Sequence, residues 1–226
     1  AALRLPRAAG AEVLVRELGL VYNQPASRDA RERSRAETMR LADLVFALEG
    51  ARGVGPYQRG RLARYRDVRL PAMNPQRLAV VQAALWQIGQ PYVWAGDWPG
   101  VHSPWGAQGH GGFDCSGLVW WAFKGSPGAS QMALGAGLLG RTADAMAFES
   151  PTEREPSATL APGDLVFFGP AGPASKPGTI AHTGIAIGNG WMVHSSGSRG
   201  GVALSNLDDY WPAATAFGRH VAQLGA

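Results

Sequence analysis

The stretch that decides the fold is TIAHTGIAIGNGWMVH, residues 179–194. Apolar and β-branched residues stand on both sides of the Gly-Asn-Gly at 188–190, a pattern that predicts a β-hairpin. Further short apolar or aromatic runs at 165–168 and 201–204 are separated from it by glycine-containing turns. We therefore predict an antiparallel sheet in the C-terminal half of the chain.

The register of this hairpin decides whether its two histidines can meet. A three-residue loop pairs Ile187 with Trp191 and sets His194 opposite Gly184. His182 then lies on the same face as His194, about 7–8 Å away along the diagonal between strands, a separation that two imidazoles can span. A two-residue loop puts the histidines on opposite faces. We predict the three-residue loop, with open space beside Gly184.

Helix signals precede the strands. Asn74 and Pro75 form an N-cap followed by proline at the first helical position, and this helix is predicted to run to Ile88 before Gly89 ends it. A helical region before an antiparallel sheet indicates an α+β fold with N-terminal helices packed on the sheet. The glycine-rich stretch 94–112 is predicted to be a long loop.

Other segments of the chain carry weaker signals. A surface connection is expected over 53–71 because it mixes Gly, Pro and charged residues. The remaining helices are predicted at Glu12–Leu18, from the capping-box sequence Ser34-Arg35-Ala36-Glu37 to Gly50, and at Thr142–Phe148.

Composition is that of a globular protein: of 226 residues, 46% are hydrophobic and 17% charged. The net charge of +4 is uneven, since residues 1–74 carry 14 basic and 8 acidic side chains. We divide the chain into a basic, mainly helical region, 1–73, and a second domain, 74–226. Most of the basic residues are Arg, which does not by itself indicate nucleic-acid binding, and no nucleic-acid partner is expected.

No apolar run approaches the roughly 18 residues of a membrane span, so none is expected. The first residues also lack the apolar stretch of a signal peptide, and the chain lacks an initial Met, which is consistent with removal of an export signal.

Cys115 is the single cysteine, which excludes an internal disulfide and a cysteine-rich zinc site. Asp114 is a typical N-cap, so Cys115 is predicted in the first turn of a helix, where the thiol pKa falls. The charge of Asp114 opposes this effect, and a protonated histidine partner would be needed to complete it. Two interpretations stay open: a nucleophile, or a small buried hydrophobe beside a capping residue.

Together, Cys115, His182 and His194 provide a nucleophile, a general base and an acceptor that orients the base. A metal site built from the same three residues is the alternative, but no carboxylate or fourth ligand has typical spacing. We therefore expect neither a metal nor another cofactor.

The chain resembles the NlpC/P60 family of cysteine peptidases, papain-like enzymes of bacterial cell walls, over about residues 75–220. Five blocks occur in the family's order: GQPYVW at 89–94, GFDCSGLV at 112–119, RT at 141–142, LAPGDLVFF at 160–168, and HTGI at 182–185 with His194. This resemblance implies a papain-like domain that acts outside the cytoplasm without a cofactor.

The same resemblance implies roles for individual residues. Cys115 would be the nucleophile, His182 the base and His194 its orienting partner. The residues expected to border the substrate cleft are Tyr92, Asp114 and Ser116. The implied reaction is hydrolysis of an amide in the peptidoglycan stem peptide, between D-glutamate and the following diamino acid, through a thioester. The alternatives are an amidase or transpeptidase using the same triad, and a catalytically silent wall-binding protein.

The sequence departs from the family pattern in two places. Ala95 stands where the family usually has a glycine, and the loop from Gly96 to Phe113 is longer than usual; both changes would reshape the cleft. Before the domain, Ser34–Glu37 with Leu41 and Leu48 resembles part of a surface-layer-homology repeat, a module that binds wall polymers. The alternative is an ordinary amphipathic helix docked on the catalytic domain.

Overall fold

The computed structural model of the chain describes residues 3–33 and 37–225. The helices are α1 (Ala9–Glu17), α2 (Leu41–Arg52), α3 (Pro56–Arg64), α4 (Pro75–Leu85), α5 (Cys115–Trp120), α6 (Pro127–Gln131) and α7 (Ala143–Phe148). The strands are β1 (Asp97–Trp98), β2 (His102–Ser103), β3 (Gly106–Ala107), β4 (Gly112–Phe113), β5 (Arg154–Glu155), β6 (Leu165–Phe168), β7 (His182–Gly188), β8 (Trp191–Ser196), β9 (Gly201–Asn206) and β10 (Thr215–Arg219). No helix within these ranges is long and apolar enough to cross a bilayer.

Six strands form one antiparallel sheet in the order β5-β10-β6-β7-β8-β9. Helix α5 packs on its centre, against β7 and β8, and α4 covers the adjoining part of the same face. The side chains between these layers include Val80, Leu118, Ile185 and Val193, all of which are completely buried. The predicted α+β fold, with helices packed on an antiparallel sheet, is confirmed.

The register predicted for the central hairpin is correct, but the loop length is wrong. Ile185 pairs with Val193, which places His194 across from Gly184. The loop itself is the two-residue turn Asn189-Gly190, with both φ angles positive, and the register shifts by one residue where Ile187 is bulged. The bulge compensates for the shorter turn, so the histidines keep a common face.

The space beside Gly184 is filled rather than open. A Cβ atom at this position would lie 2.9 Å from Met192 Sδ and 3.1 Å from His194 Cβ. The two strands approach closely here, so a larger residue would require Met192 or His194 to shift.

The helix caps at Asn74 and Thr142 follow the prediction. The Asn74 side chain accepts a hydrogen bond from Arg77 N at 2.8 Å, and Thr142 accepts one from Ala145 N at 3.1 Å. Helix α4 ends at Leu85, and Gly89 has a φ of +96°, a conformation that stops the chain from continuing as a helix.

Several boundaries were predicted wrongly. The segment 53–71 contains a nine-residue helix, α3, which starts with proline at its first position. Helix α2 begins at Leu41 and ends at Arg52, beyond Gly50. The proposed capping residues 34–36 lie outside the described residues. Strand β10, which pairs with β6 inside the sheet, was not predicted because its TAFGR sequence carries a weak strand signal.

Helix α2 does not dock its apolar residues on the catalytic part of the chain. Leu41 and Leu48 are 76% and 57% exposed, and the ring of Phe46 contacts only the edge of Tyr22 among the aromatic pairs described. The ordinary docked amphipathic helix is therefore not what the structure contains.

Helix α1, by contrast, is joined firmly to the sheet. The buried Arg16 guanidinium donates to the carbonyls of Gly89 and Gly200, and Glu17 forms an ion pair with Arg199 at 2.9 Å. Ala9 and Val13 of the same helix are part of the main hydrophobic core. Residues of the N-terminal region thus share an interior with the sheet.

The stretch 94–112 is an ordered loop with two short ladders, β1 with β4 and β2 with β3. The Gln108 side chain holds it together: its amide donates to the carbonyls of Trp98 and Gly112, at 2.8 and 3.0 Å. Trp98 packs edge-on against Trp121 after α5, with 4.5 Å between ring centroids. The loop is therefore anchored to the helix that carries Cys115.

Candidate active site

Cys115 opens α5 directly after strand β4. The Asp114 carboxylate caps the helix by accepting from Gly117 N–H at 2.5 Å. Helix α5 packs on β7, and the backbone of Thr183 on that strand lies close enough to the Cys115 sulfur to oppose the rise of its pKa. Cys115 as a residue is of intermediate exposure, although its thiol group is largely buried.

The two histidines form a hydrogen-bonded chain in the interior. His182 Nε2 lies 2.7 Å from His194 Nδ1, and His194 Nε2 lies 2.9 Å from Ser205 Oγ. Two tautomer sets satisfy both contacts, since the Ser205 hydroxyl can accept from or donate to His194 Nε2. In the set where His182 Nε2–H donates to His194 and His194 Nε2–H donates to Ser205, His182 Nδ1 carries no proton, which is the state a general base requires.

Burial favours the neutral forms of the thiol and the imidazole. It raises the pKa of Cys115 to about 11, with a further contribution from the Asp114 charge, although backbone N–H groups oppose the shift. Burial also lowers the pKa of His182 to about 3. The predicted lowering of the thiol pKa is therefore wrong, because desolvation outweighs the helix start.

An aromatic cluster that the sequence did not reveal encloses the histidine chain. The Tyr210 ring lies edge-on to His194, with 4.4 Å between centroids, and its hydroxyl is 3.0 Å from Ser196 Oγ. Trp211 stacks on Tyr210 at 5.0 Å. These residues lie in the β9–β10 connection, far from the histidines in sequence. Two adjacent aromatic residues, Tyr210 and Trp211, were the only feature of the sequence that could have indicated this cluster.

Tyr92 is the first of the three residues predicted to border the substrate cleft. Burial, together with the nearby Cys115 and Asp114, raises the pKa of the Tyr92 hydroxyl. The ring is half-buried and faces Gly197 at the end of β8, where a Cβ would lie 3.8 Å from it.

Asp114 and Ser116 are instead occupied by Arg141, to which the sequence prediction gave no role. The guanidinium donates to Asp114 Oδ1 at 3.2 Å and to Ser116 Oγ at 2.9 Å. It also reaches the carbonyl of Gly96 at 3.2 Å, which links α5 to the loop 94–112. These contacts tie Asp114 and Ser116 to Arg141 and to the loop, and a role for them in substrate binding stays a prediction.

Residues 3–33 and 37–225 contain no group of three His, Cys, Asp or Glu side chains arranged to hold a metal ion. The histidines have other partners: His182 and Ser205 occupy the two ring nitrogens of His194. The arrangement can therefore perform proton transfer next to a thiol, which is the chemistry of enzymes that form acyl thioesters.

Helix α5, which begins with Cys115, packs on the two strands that carry the buried histidines, on an α+β scaffold. The chain belongs to the NlpC/P60 family, which matches residues 89–219. The predicted family is thus confirmed over more than half of the chain.

Curated relatives are endopeptidases by name. Murein DD-endopeptidase MepH of Escherichia coli is 29% identical over 198 residues, covering 82% of this chain and 63% of the relative. The bifunctional muramidase/DL-endopeptidase CwlT of Bacillus subtilis is 38% identical over 134 residues, 58% of this chain and 32% of that protein. A probable endopeptidase of Mycobacterium tuberculosis is 39% identical over 56% of the chain, which spans about a quarter (26%) of the relative's length.

Among solved structures, the peptidoglycan hydrolase RipB from Mycobacterium tuberculosis aligns over 96% of both chains, with 26% identity and a TM-score of 0.47. The NlpC/P60 domain of the peptidoglycan hydrolase SagA aligns over 64% of this chain and 97% of that one, with 26% identity and a TM-score of 0.45.

Proposed function

We propose that this protein is a cysteine peptidase that hydrolyses an amide bond in the stem peptide of peptidoglycan. The observation that carries the proposal is that helix α5, which begins with Cys115, packs on strands β7 and β8, which carry the buried His182–His194 pair and its partner chain to Ser205. Relatives named as peptidoglycan endopeptidases support the substrate class. Such a substrate implies action outside the cytoplasm.

The first half of the reaction forms a thioester. His182 Nδ1 takes the thiol proton as the Cys115 sulfur attacks the carbonyl, so the neutral pair becomes reactive only as the bond forms. The backbone N–H of Cys115, with the Tyr92 hydroxyl, would stabilise the oxyanion. His194 holds the His182 ring in the required orientation and accepts from its Nε2–H throughout.

The thioester is complete when protonated His182 gives its Nδ1 proton to the leaving amine and the C–N bond breaks. In the second half, His182 removes a proton from water as the water oxygen attacks the thioester carbonyl. The C–S bond then breaks, His182 returns the proton to the departing sulfur, and the acid product leaves. Every proton is exchanged at the same nitrogen, and no cofactor takes part.

We propose the bond between D-glutamate and the following diamino acid as the one that is cut. This choice rests on the family resemblance, and relatives include a DL-endopeptidase and a gamma-DL-glutamyl hydrolase, both from Bacillus subtilis. MepH is named a DD-endopeptidase, so digestion of defined muropeptides with identification of the products by mass spectrometry decides between the two bonds.

Replacing the proposed nucleophile tests the mechanism directly. Cys115→Ala removes the sulfur and should lower muropeptide hydrolysis by at least about 10⁴-fold, since no other group can form the thioester. The matched control is Ser198→Ala, which removes one hydroxyl group from the β8–β9 connection. Undiminished lysis of purified wall by Cys115→Ala would refute the assignment.

Products also distinguish the alternatives. If an added amine replaces water in the product, the protein is a transpeptidase; if the bond between glycan and peptide is cut, it is an amidase. If wild-type protein binds wall but yields no product, the silent wall-binding alternative is correct.

A further inference from the structure

Helices α1 and α3 line a cleft that is separate from the candidate active site. The α1–α3 cleft, which the chain after α3 also lines, has a volume of about 640 Å³. That volume lies within the range of about 300–1,000 Å³ typical of small-molecule sites. The cleft is therefore large enough to hold a ligand of its own.

The floor of the α1–α3 cleft is apolar. Val13, Leu85 and Ile187 line it from the main hydrophobic core, and each is at most 5% exposed. Two further lining residues, Leu5 and Leu14, are 49% and 37% exposed, so they lie at its opening. Because these apolar side chains meet water, a ligand that covered them with apolar groups would bind favourably.

Glu17 holds the two helical walls together. Its buried carboxylate pairs with Arg61 of α3 at 2.6 Å and lies 2.8 Å from the Tyr65 hydroxyl. The same hydroxyl is 2.9 Å from the carbonyl oxygen of Leu204, so it is already occupied within the protein. The walls are fixed by contacts that a ligand need not supply, which lowers the cost of binding.

The charge of the cleft is entirely positive. Among the lining residues that the structure describes, Arg59 and Arg66 are the only charged ones, and both are exposed. Neither forms an ion pair with another residue in 3–33 or 37–225. The site thus joins an apolar floor to two available cations, and its chemical complement is an apolar chain with an anionic head.

We propose that the α1–α3 cleft binds a fatty acid, a single long alkyl chain with a carboxylate head. The chain would cover the apolar floor, and the carboxylate would accept hydrogen bonds from Arg59 and Arg66. A cleft between two helices admits one chain but not the broad surface of a bilayer, so the ligand is the free amphiphile. This site is independent of the proposed hydrolase reaction.

Calorimetric titration of the whole chain with monomeric dodecanoate tests the proposal. Octanoate, with a shorter chain, should bind at least about tenfold more weakly, because burial of methylenes supplies much of the affinity. Dodecyltrimethylammonium has the same chain and the opposite charge, and it should also bind at least about tenfold more weakly. Absence of dodecanoate binding, or equal affinity for dodecanoate and either of the other probes, would overturn the proposal.

Two wall glycines provide a matched pair of variants. A Cβ at Gly10 of α1 or at Gly60 of α3 would meet open space, but only Gly10 lines the cleft. Gly10→Phe should therefore place a ring in the cleft and weaken dodecanoate binding at least about tenfold, whereas Gly60→Phe should bind like wild type. Circular dichroism checks that both variants fold. Equal affinity in the two folded variants would contradict the location of the site.

The two arginines are tested together. Arg59→Gln combined with Arg66→Gln should weaken dodecanoate binding about tenfold and abolish the preference over dodecyltrimethylammonium. Arg7→Gln, at an exposed arginine outside the cleft, is the control. A preference for the anion that survives the double substitution would overturn the assignment of the head group.

Other occupants of the cleft would give different results. If a second copy of the chain covers it, sedimentation should show a dimer that Gly10→Phe dissociates, and dodecanoate should not bind. If a membrane covers it, the chain should sediment with anionic vesicles and not bind monomeric dodecanoate. Either result would overturn the fatty-acid proposal without bearing on the hydrolase.

Discussion

Two buried histidines set the response of the folded protein to acid. Burial lowers the pKa of His182 to about 3, and burial also lowers the pKa of His194 well below its ordinary value. In the unfolded chain both imidazoles titrate near 6.5. Below that pH the unfolded chain binds protons that the folded protein does not, so the free energy of unfolding falls as the pH drops from about 6.5 towards 3.

Denaturant unfolding at pH 7.5 and 4.5 measures this effect. Each buried histidine contributes up to about 1.4 kcal/mol of lost stability per pH unit in this window. His182→Gln should therefore lose less stability between the two pH values than wild type does. His102→Gln, at an exposed histidine, is the control and should keep the wild-type difference. An identical pH dependence in His182→Gln and wild type would contradict the prediction.

At the residue scale, the sequence indicated the cysteine and the two histidines of the candidate site. It did not indicate the residues that hold them in place. A lone cysteine after an N-cap and two histidines at hairpin spacing are local patterns, so they can be read directly. Ser205, Tyr210 and Arg141 enter the site through sheet pairing and loop packing, which no local pattern specifies. The thiol pKa was misjudged because desolvation depends on the complete surroundings of the sulfur.

At the scale of elements, the β7–β8 hairpin determines the geometry of the proposed catalytic pair. Its bulge at Ile187 and its turn at Asn189-Gly190 together restore the register in which His182 and His194 share a face. The register was predicted from a three-residue loop, and it is correct on the far side of the bulge because the bulge compensates for the shorter turn. The sequence Ile-Gly-Asn-Gly gives no clear signal of a bulge, and the loop length was therefore predicted wrongly.

Two glycine substitutions in this hairpin should fail in different ways. In Gly184→Ala the new methyl presses on His194 Cβ, so we expect a loss of about 1–3 kcal/mol in stability and at least a tenfold fall in kcat. Gly190→Ala has room for its methyl, 3.8 Å from Asn206 Nδ2, but strains a backbone with φ of +75°. It should cost about 1–2 kcal/mol and leave kcat unchanged.

Urea unfolding and steady-state kinetics on both variants check this contrast. Full activity in Gly184→Ala would show that the histidine pair tolerates displacement of β8, contrary to the expectation.

At the scale of the whole molecule, charge separates the two parts of the chain. Exposed arginines of the region 1–73 that form no ion pair within the described ranges are Arg4, Arg7, Arg28, Arg31, Arg59, Arg66 and Arg69. We propose that this basic region binds anionic wall polymers by long-range electrostatics. The sequence predicted the charge imbalance, whereas the exposure of these side chains depends on how α1 and α3 pack.

Retention of the whole chain on purified wall tests this proposal. Binding should weaken steeply as salt rises from 0.05 to about 0.5 M, since screening shortens the reach of surface charges. Replacing Arg59, Arg66 and Arg69 by Gln should reduce both retention and its salt dependence. Lys176→Gln, at an exposed lysine of the second domain, is the control. Retention that ignores salt would contradict an electrostatic mode of binding.

The contacts of Arg16 have a consequence for how such proteins can be assembled from parts. Its guanidinium reaches across the compositional boundary near Met73 to donate to three backbone carbonyls, those of Gly89, Arg199 and Gly200. In a chimaera that joins residues 74–226 to the N-terminal region of another protein, those oxygens would be buried without a hydrogen-bond donor. The exception would be an N-terminal region that places a cationic side chain at the same position. Recombination at 73 is therefore expected to be tolerated only between chains that share this arginine.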